Sequence, residues 1–204
     1  MARPVIQLRP ETLRLLAPAD DAESLVDALK VRKAWAERAL VEDHTAHVER
    51  LITRVLGPSS DVDDLVQEVF IRALGRVDQL RDEGVKSWLG AFAVNVAREA
   101  LRKKRRWRWL WSVAAEDAPE VRSADATPDV RAAMGALYRL LDRMDPDDRV
   151  VFTLRAIEGM ELLEVAGLTD LSLSTVKRRF KRAQEFVIQH ARRDVLLADW
   201  VDAS

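Results

Sequence analysis

Polar and apolar positions recur at spacings of three and four along almost the whole chain, the period of amphipathic helices. Alternating runs rich in β-branched residues are missing, so the pattern predicts essentially no sheet. From Asp21 to about Thr53 the pattern predicts one or two helices, with Leu25, Leu29, Ala36 and Leu40 near one apolar face. Gly57-Pro58-Ser59-Ser60 breaks it. The next helix begins at Ser60 or Asp61 as N-cap, carries acidic residues in its first turn as the helix dipole favours, and runs to about Val77. Its buried stripe is predicted as Leu65, Val66, Val69, Phe70, Ala73 and Leu74. After a loop at Asp82–Lys86, Ser87 is expected to cap a long helix reaching about Trp109. The inner stripe of that helix would be Trp88, Leu89, Phe92, Ala93, Val96 and Ala100.

The second half is punctuated by local signals. Thr127-Pro128-Asp129 is an N-cap followed by proline at the first helical position, and Asp145-Pro146-Asp147 repeats it one helix later. Glu158-Gly159 ends that second helix, Glu161 to Gly167 forms a short one, and Ser172 opens another to about Arg192. Between the halves, Glu116 to Thr127 is acidic, small and broken by Pro119, the composition of a linker. Residues 1–20, with Pro4, Pro10 and Pro18, read as a flexible arm. The expected fold is therefore all-α. Two small helical domains, 21–112 and 128–193, are joined by a flexible linker at 113–127 and followed by a tail at 194–204; the second domain contains a helix-turn-helix.

Composition narrows the function. Thirty-three basic and 34 acidic residues nearly cancel over 204 residues. The signs are nonetheless segregated: cations crowd Arg98–Arg108 and Lys177–Arg182, anions Asp61–Glu68 and Glu116–Asp125. Without cysteine there is neither a disulfide framework nor a cysteine-based zinc site. No apolar run approaches the roughly 20 residues that span a bilayer, and Met1-Ala2-Arg3-Pro4 does not open a signal peptide, so a cytoplasmic protein with no membrane insertion is expected. His44 and His47, beside Glu42 and Asp43, could form a two-histidine metal face, but incidental histidines on a surface helix are the commoner case. Seven scattered glycines make no phosphate-cradling loop, and no nucleophile, histidine and carboxylate fall into a catalytic pattern. No catalytic residue, metal or cofactor is expected.

Three segments carry recognition chemistry. In Gly159–Ala183 a short helix, a turn and a second helix would bury Val176, Phe180 and Ala183 and turn Lys177, Arg178, Lys181 and Arg182 outward. Such a face can enter a major groove and meet phosphates or guanine edges; it can also be the solvated face of an ordinary bundle helix. Along Trp88–Arg108, Asn95, Arg98, Arg102 and Arg105 or Arg106 recur every three or four positions, and a stripe of this kind can track a phosphate backbone. Trp107, Trp109 and Trp111 follow, suited either to base stacking or to packing against the N-terminal helices. Opposite the apolar stripe of the acidic helix, Asp64, Gln67, Glu68 and Arg72 make a row that could dock a basic helical partner or simply be solvated.

Taken in order, these segments resemble the extracytoplasmic-function (ECF) sigma factors, the compact promoter-specificity subunits of bacterial RNA polymerase. Asp61-Val62-Asp63-Asp64-Leu65-Val66-Gln67-Glu68-Val69-Phe70 is similar to the family's core-binding helix. Ser87-Trp88-Leu89-Gly90-Ala91-Phe92-Ala93-Val94-Asn95-Val96-Ala97-Arg98 is similar to its minus-ten helix, and Leu141 through Phe186 to its minus-thirty-five domain. The resemblance implies that Asp61, Asp64, Gln67 and Glu68 face the polymerase clamp helices. It implies that Asn95 lines a pocket for a flipped promoter base, which the loop Arg81–Ser87 closes, with Trp88, Arg98, Arg102, Arg105 and Arg106 along the same minus-ten surface. Ser174, Thr175, Lys177, Arg178, Lys181 and Arg182 take the minus-thirty-five positions. The implied partners are bacterial RNA polymerase core and promoter DNA, and the family allows an anti-sigma factor as a third.

Departures from the family pattern fall in the second reader. Its usual Gly-Thr-Val is Ser174-Thr175-Val176, a small serine is replaced by Arg178, and a usual acidic position is Leu163. Two rival readings share part of the pattern. A stand-alone helix-turn-helix regulator needs dimer symmetry and no acidic docking helix; a helical module that sequesters a regulator needs no basic residues on two separated faces.

Overall fold

The computed structural model describes residues 24–57, 61–80, 84–111 and 127–198. Among them the regular structure is helical and no strand occurs. Helices α1 (Leu25–Lys30) and α2 (Ala34–Leu56) replace the predicted one or two at the start. They are followed by α3 (Val62–Leu74), a 3₁₀ turn at Val77–Gln79, and α4 (Val85–Trp111). The second body holds α5 (Pro128–Leu141), α6 (Pro146–Phe152) running into a π turn at Thr153–Ile157, α7 (Leu162–Thr169) and α8 (Leu173–Ala191).

Three of the caps predicted from local sequence are present. Thr127 accepts from the amide of Val130 at 3.4 Å, Asp145 from that of Asp147 at 3.1 Å, and Ser172 from that of Thr175 at 3.3 Å. Each satisfies one of the amide groups that a helix start leaves without an intrahelical partner. Asp170 at φ 54° takes the left-handed conformation that lets the chain turn between α7 and α8, one that aspartate tolerates better than most residues. Asp61 is the N-cap residue of α3, one of the two predicted.

Several expectations are corrected. Ser87 lies inside α4 rather than capping it, because the helix begins two residues earlier at Val85. Helix α3 ends at Leu74 rather than Val77, where the chain tightens into the 3₁₀ turn. The buried stripe of α4 is Leu89, Ala93, Val94, Val96, Ala97 and Leu101. Trp88 and Phe92 are only half-buried, and meet edge-to-face at a centroid distance of 5.1 Å. The stripe is rotated because α4 is covered from two sides, by α2 and α3 on one and by the second body on the other. On α3 the stripe gains Val62, whereas Leu65 and Leu74 are half-buried. Leu197, expected in a separate tail, is 5% exposed against Ala133, Ala136, Leu140 and Ala191, so the second body continues past residue 193. Residues 1–20, the core of the predicted linker and Trp200 lie outside the described residues, as do Arg81 and the side chains of Trp109 and Trp111.

The two bodies share a core. Val150, Val151, Leu154, Val165, Leu168 and Val176 pack in one apolar cluster with Leu29, Leu40, Leu51, Val69, Leu89 and Val96. The approach is close at two glycines: a Cβ placed at Gly57 would lie 2.9 Å from the Tyr138 ring, and one at Gly90 3.1 Å from a Leu168 methyl. Two further clusters, around Leu140 and around Leu141, hold α5, α6 and α8 together.

Candidate nucleic-acid interface

Helix α8 is the simpler of the two cationic helices. Val176 and Ala183 are fully buried and Phe180 is half-buried against Phe152, with ring centroids 6.3 Å apart. That anchoring turns Lys177, Arg178 and Lys181 to solvent, and Ser174 is exposed at the helix start beside the half-buried Thr175. Arg182 is also exposed, but it is not a loose cation. Its Nε and a terminal nitrogen reach the two Asp148 oxygens at 2.5 and 2.6 Å, and this fork-to-fork pairing with Asp148 pushes its pKa above the ordinary arginine value.

Arg179, which the sequence reading passed over, reaches further. Its guanidinium meets Asp148 at 2.8 Å, Asp147 at 3.1 Å and Asp145 at 3.4 Å. It sits on the side of α8 that faces the start of α6. The local signal was present, since Lys177-Arg178-Arg179 is a run of three cations and only two can point away from the body.

On α4 the predicted cations are brought to the same place. Arg102 pairs with Asp147 at 2.9 Å, Arg105 with Asp145 at 3.2 Å, and Lys104 with Asp142 at 3.0 Å. Arg106 is exposed. Asn95 and Arg98, both half-buried, are hydrogen-bonded to each other, and Arg98 also donates to the Thr169 carbonyl at 3.4 Å. Asp142, Asp145, Asp147 and Asp148 thus form an acidic corner between α5 and α6 that binds cations of α4 and α8. Burial pushes the Asp142 carboxyl up, but Arg149 and Lys104 beside it pull harder and leave it below the usual carboxylate range.

Behind the corner lies the residue that sequence reasoning missed most completely. Arg149 is 2% exposed. Its guanidinium donates to the Val55 carbonyl at 2.8 Å and the Leu56 carbonyl at 2.7 Å, pairs with Asp142, and lies 5.9 Å from the centre of the Tyr138 ring. The Tyr138 hydroxyl donates to the Arg54 carbonyl at 3.2 Å. Three carbonyls at the C-terminus of α2 are therefore capped by side chains of the second body, and a cation sits at the negative end of the helix dipole. Glu158 adds ion pairs to Arg50 at 3.3 Å and Arg54 at 3.0 Å.

The acidic helix α3 lies on the other side of the first body. Asp61, Asp64 and Gln67 are exposed, while Glu68 is tied to Arg72 at 2.7 Å. Next to them an open groove runs between α2 and α3, lined by Val41, Thr45, Val66, Gln67, Phe70 and Ile71. Ile71 is 68% exposed, an apolar side chain of a kind usually covered by a partner when it belongs to a patch. His44 and His47 join no metal-ligand group among the described residues. Burial, with Lys86 and Arg50 nearby, lowers the His47 pKa.

Residues 40–107 match the Sigma-70 region 2 family model and residues 134–185 the Sigma-70, region 4 model, together more than half of the chain. The ECF RNA polymerase sigma-E factor of Escherichia coli (strain K12) is 29% identical over 181 residues, covering 81% of this chain and 94% of that protein. The chain belongs to the ECF sigma factors. It acts with RNA polymerase core on promoter DNA and serves transcription initiation. The sigma factor SigE of Mycolicibacterium smegmatis is 30% identical over 156 residues, covering 74% of this sigma factor and 59% of that one. Two solved structures share the fold. CnrH in complex with the cytosolic domain of CnrY superposes with a TM-score of 0.58 at 23% identity, covering 83% of this chain and 96% of that one. RpoE of Bartonella quintana, in complex with the anti-sigma factor NepR, superposes at 0.57 and 18%, covering 74% and 94%. Both rival readings lack a reason for a region 2 match. No described helix of the sigma factor is long and apolar enough to cross a membrane.

Proposed function

We propose that the first body docks on polymerase through α3 and traps a minus-ten base with α4, while the second grips the minus-thirty-five duplex with α8. The observation that carries the second half is the orientation of α8: Val176 and Ala183 are buried, so Lys177, Arg178 and Lys181 point away from the body together. Cations on the second and third turns of an exposed helix can meet phosphates and guanine edges of a major groove. Ser174 and Thr175 stand at the helix start, where amides attract a phosphate. For the minus-ten strand, Asn95 offers both a donor and an acceptor to a base edge, and Arg98 bonded to it fixes its orientation. The cations Arg102, Arg105 and Arg106 would follow the backbone, and Trp88 supplies an aromatic face near the pocket. Polymerase docking through Asp61, Asp64, Gln67 and Glu68 is supported by the apolar groove around Ile71 on the same helix, which Gln67 lines together with Asp63, a polar rim beside a hydrophobic floor.

On this reading the sigma factor itself performs no chemistry; the polymerase does. It works in the cytoplasm. An anti-sigma factor is a candidate third partner, supported by the partners named for the two structural relatives. The predicted domain limits, 21–112 and 128–193, are kept as proposed working limits, with the second extended to take in Leu197.

Run-off transcription with bacterial core polymerase tests the division of labour. Asp64→Arg is expected to abolish comigration with core while leaving helix content intact. Asn95→Ala is expected to preserve the closed complex and impair strand opening. If Asp64→Arg comigrates and transcribes like the wild type, α3 is not the docking helix.

A further inference from the structure

Among the cations of α8, Arg182 is held differently from its exposed neighbours. Lys177, Arg178 and Lys181 stand in solvent, and Lys181 only approaches Glu185 one turn on, at 3.9 Å. Arg182 gives its Nε and Nη2 to the two oxygens of Asp148, at 2.5 and 2.6 Å. Its Nη1 meets no protein group among the described residues, and its side chain stays 58% exposed. We propose that Asp148 is a positioning residue for promoter recognition: it offsets the charge of Arg182 and grips one edge of the guanidinium, so that the opposite edge reads a guanine of the minus-thirty-five duplex instead of gripping a phosphate. This rests on the proposed docking of α8 in the major groove and names the base that one of its side chains reads there.

Asp148 is placed to hold an orientation. It stands in the first turn of α6, and its side chain is 7% exposed. Its Oδ1 also accepts from Arg179 at 2.8 Å, and Arg179 is held in turn by Asp147 at 3.1 Å and Asp145 at 3.4 Å. Beneath these pairs α6 and α8 are locked together by the stacked Phe152 and Phe180 rings and by buried Val176 and Ala183. The carboxylate therefore has a fixed place, and a planar guanidinium bound to it through two atoms has one in-plane orientation. Asp148 takes the Nε edge. The end-on edge remains, with one hydrogen on each terminal nitrogen, and that pair matches O6 and N7 of a guanine. Arg182 lies one helical turn beyond Arg178, so the edge it presents adjoins the cationic face.

Charge separates base reading from phosphate binding. A phosphate contact draws its strength from free positive charge, through the counterions that it releases. The charge of Arg182 is already offset by Asp148, and a carboxylate this close also repels a phosphate. A guanine edge is neutral and requires two directed donors, so the held arginine loses little there. Lys177, Arg178 and Lys181 have no carboxylate gripping them in this way and suit the phosphates. The surface of α8 is divided accordingly: loose charges supply affinity, and one fixed fork supplies discrimination.

The test measures promoter binding by the full chain with core polymerase, on duplexes carrying single substitutions through the minus-thirty-five element, each over a range of salt. Arg182→Ala is expected to lose about tenfold of discrimination at one G·C position and to move the salt slope less than Lys177→Ala does. Asp148→Asn is expected to lose discrimination at that same position and at no other, while its salt slope steepens because the Arg182 charge is uncovered. Replacing that guanine by 7-deazaguanine, which lacks the N7 acceptor, should weaken wild-type binding severalfold and leave Asp148→Asn unaffected, a difference that a role in stability alone would not produce. Arg182→Lys keeps the charge at an exposed position and loses the fork, so it serves where Asp148→Asn fails to fold; it should keep the slope and lose the discrimination. Wild-type discrimination by Asp148→Asn or by Arg182→Lys overturns the proposal, and so does a loss in Asp148→Asn spread evenly over all positions. Unchanged binding by Arg182→Ala and Lys177→Ala alike, on every duplex, would overturn both this proposal and the role of α8 beneath it.

Discussion

The two cationic helices differ in where their counter-charges come from. Helix α8 meets acids of its own body: Asp148 lies on α6, beside Arg179 and Arg182. Helix α4 meets acids from the other body, across an interface. Local counter-charges hold two side chains in fixed rotamers and leave Lys177, Arg178 and Lys181 to solvent. Counter-charges from the other body cover the surface instead. The same pairing of arginine with aspartate therefore orders side chains within one body and joins the other helix across an interface, and the difference lies in the tertiary contact, not in the residue types.

The strongest way to break this comparison is to remove the anchor beneath it. Arg149→Ala leaves the Asp142 carboxylate and two α2 carbonyls without their buried donor and is expected to cost about 3 kcal/mol. Chemical denaturation should then show two transitions, one for each body, in place of one. A single unshifted transition would mean that the bodies are not coupled through this residue. Leu168→Ala should have the next largest effect, about 2 kcal/mol, through the cavity left beside Gly90. Its signature in the same experiment is a lower midpoint, with α8 intact by circular dichroism.

Lys177→Ala sharpens the comparison from the other reader. It should weaken promoter binding by holoenzyme severalfold and reduce the salt slope of log affinity by about one. Stability should stay unchanged, because Lys177 is exposed. An unaltered slope would remove this position from the DNA contacts.

The smallest effect concerns pH. His47 has a pKa below its ordinary value of 6.5, first because of burial and then because Lys86 and Arg50 lie close, with His44 adding to them. The folded chain resists the proton that the unfolded chain accepts, so stability is unaffected above 6.5 and falls as pH drops below it. Denaturation midpoints between about pH 7.5 and 5.5 should decline less in His47→Gln than in the wild type. Equal decline in the two would show that His47 contributes nothing to that window.

Much of the fold could be read along the chain because its signals are local. Thr127, Asp145 and Ser172 cap helices with amides two or three residues away, and Gly57 ends α2 at a positive φ of 79°. The helix-turn-helix was legible for the same reason: Val176 and Ala183 lie on one face of one helix. The stripe of α4 was legible only approximately, since covering it from a second side rotates which positions are buried. Arg149 was not legible at all. Within Asp147-Asp148-Arg149-Val150 it reads as a surface charge, and its three acceptors include carbonyls 93 and 94 residues away in the chain.

Sequence by itself determined the helices, the caps at Thr127, Asp145 and Ser172, the two cationic faces and the family, because each depends on spacing within a few turns or on a motif read in order. Tertiary structure alone decided that both faces meet one acidic corner and that Arg149 is buried. Those outcomes depend on partners brought together from distant segments, and a carboxylate that caps its own helix looks the same in sequence whether water or an arginine lies beyond it.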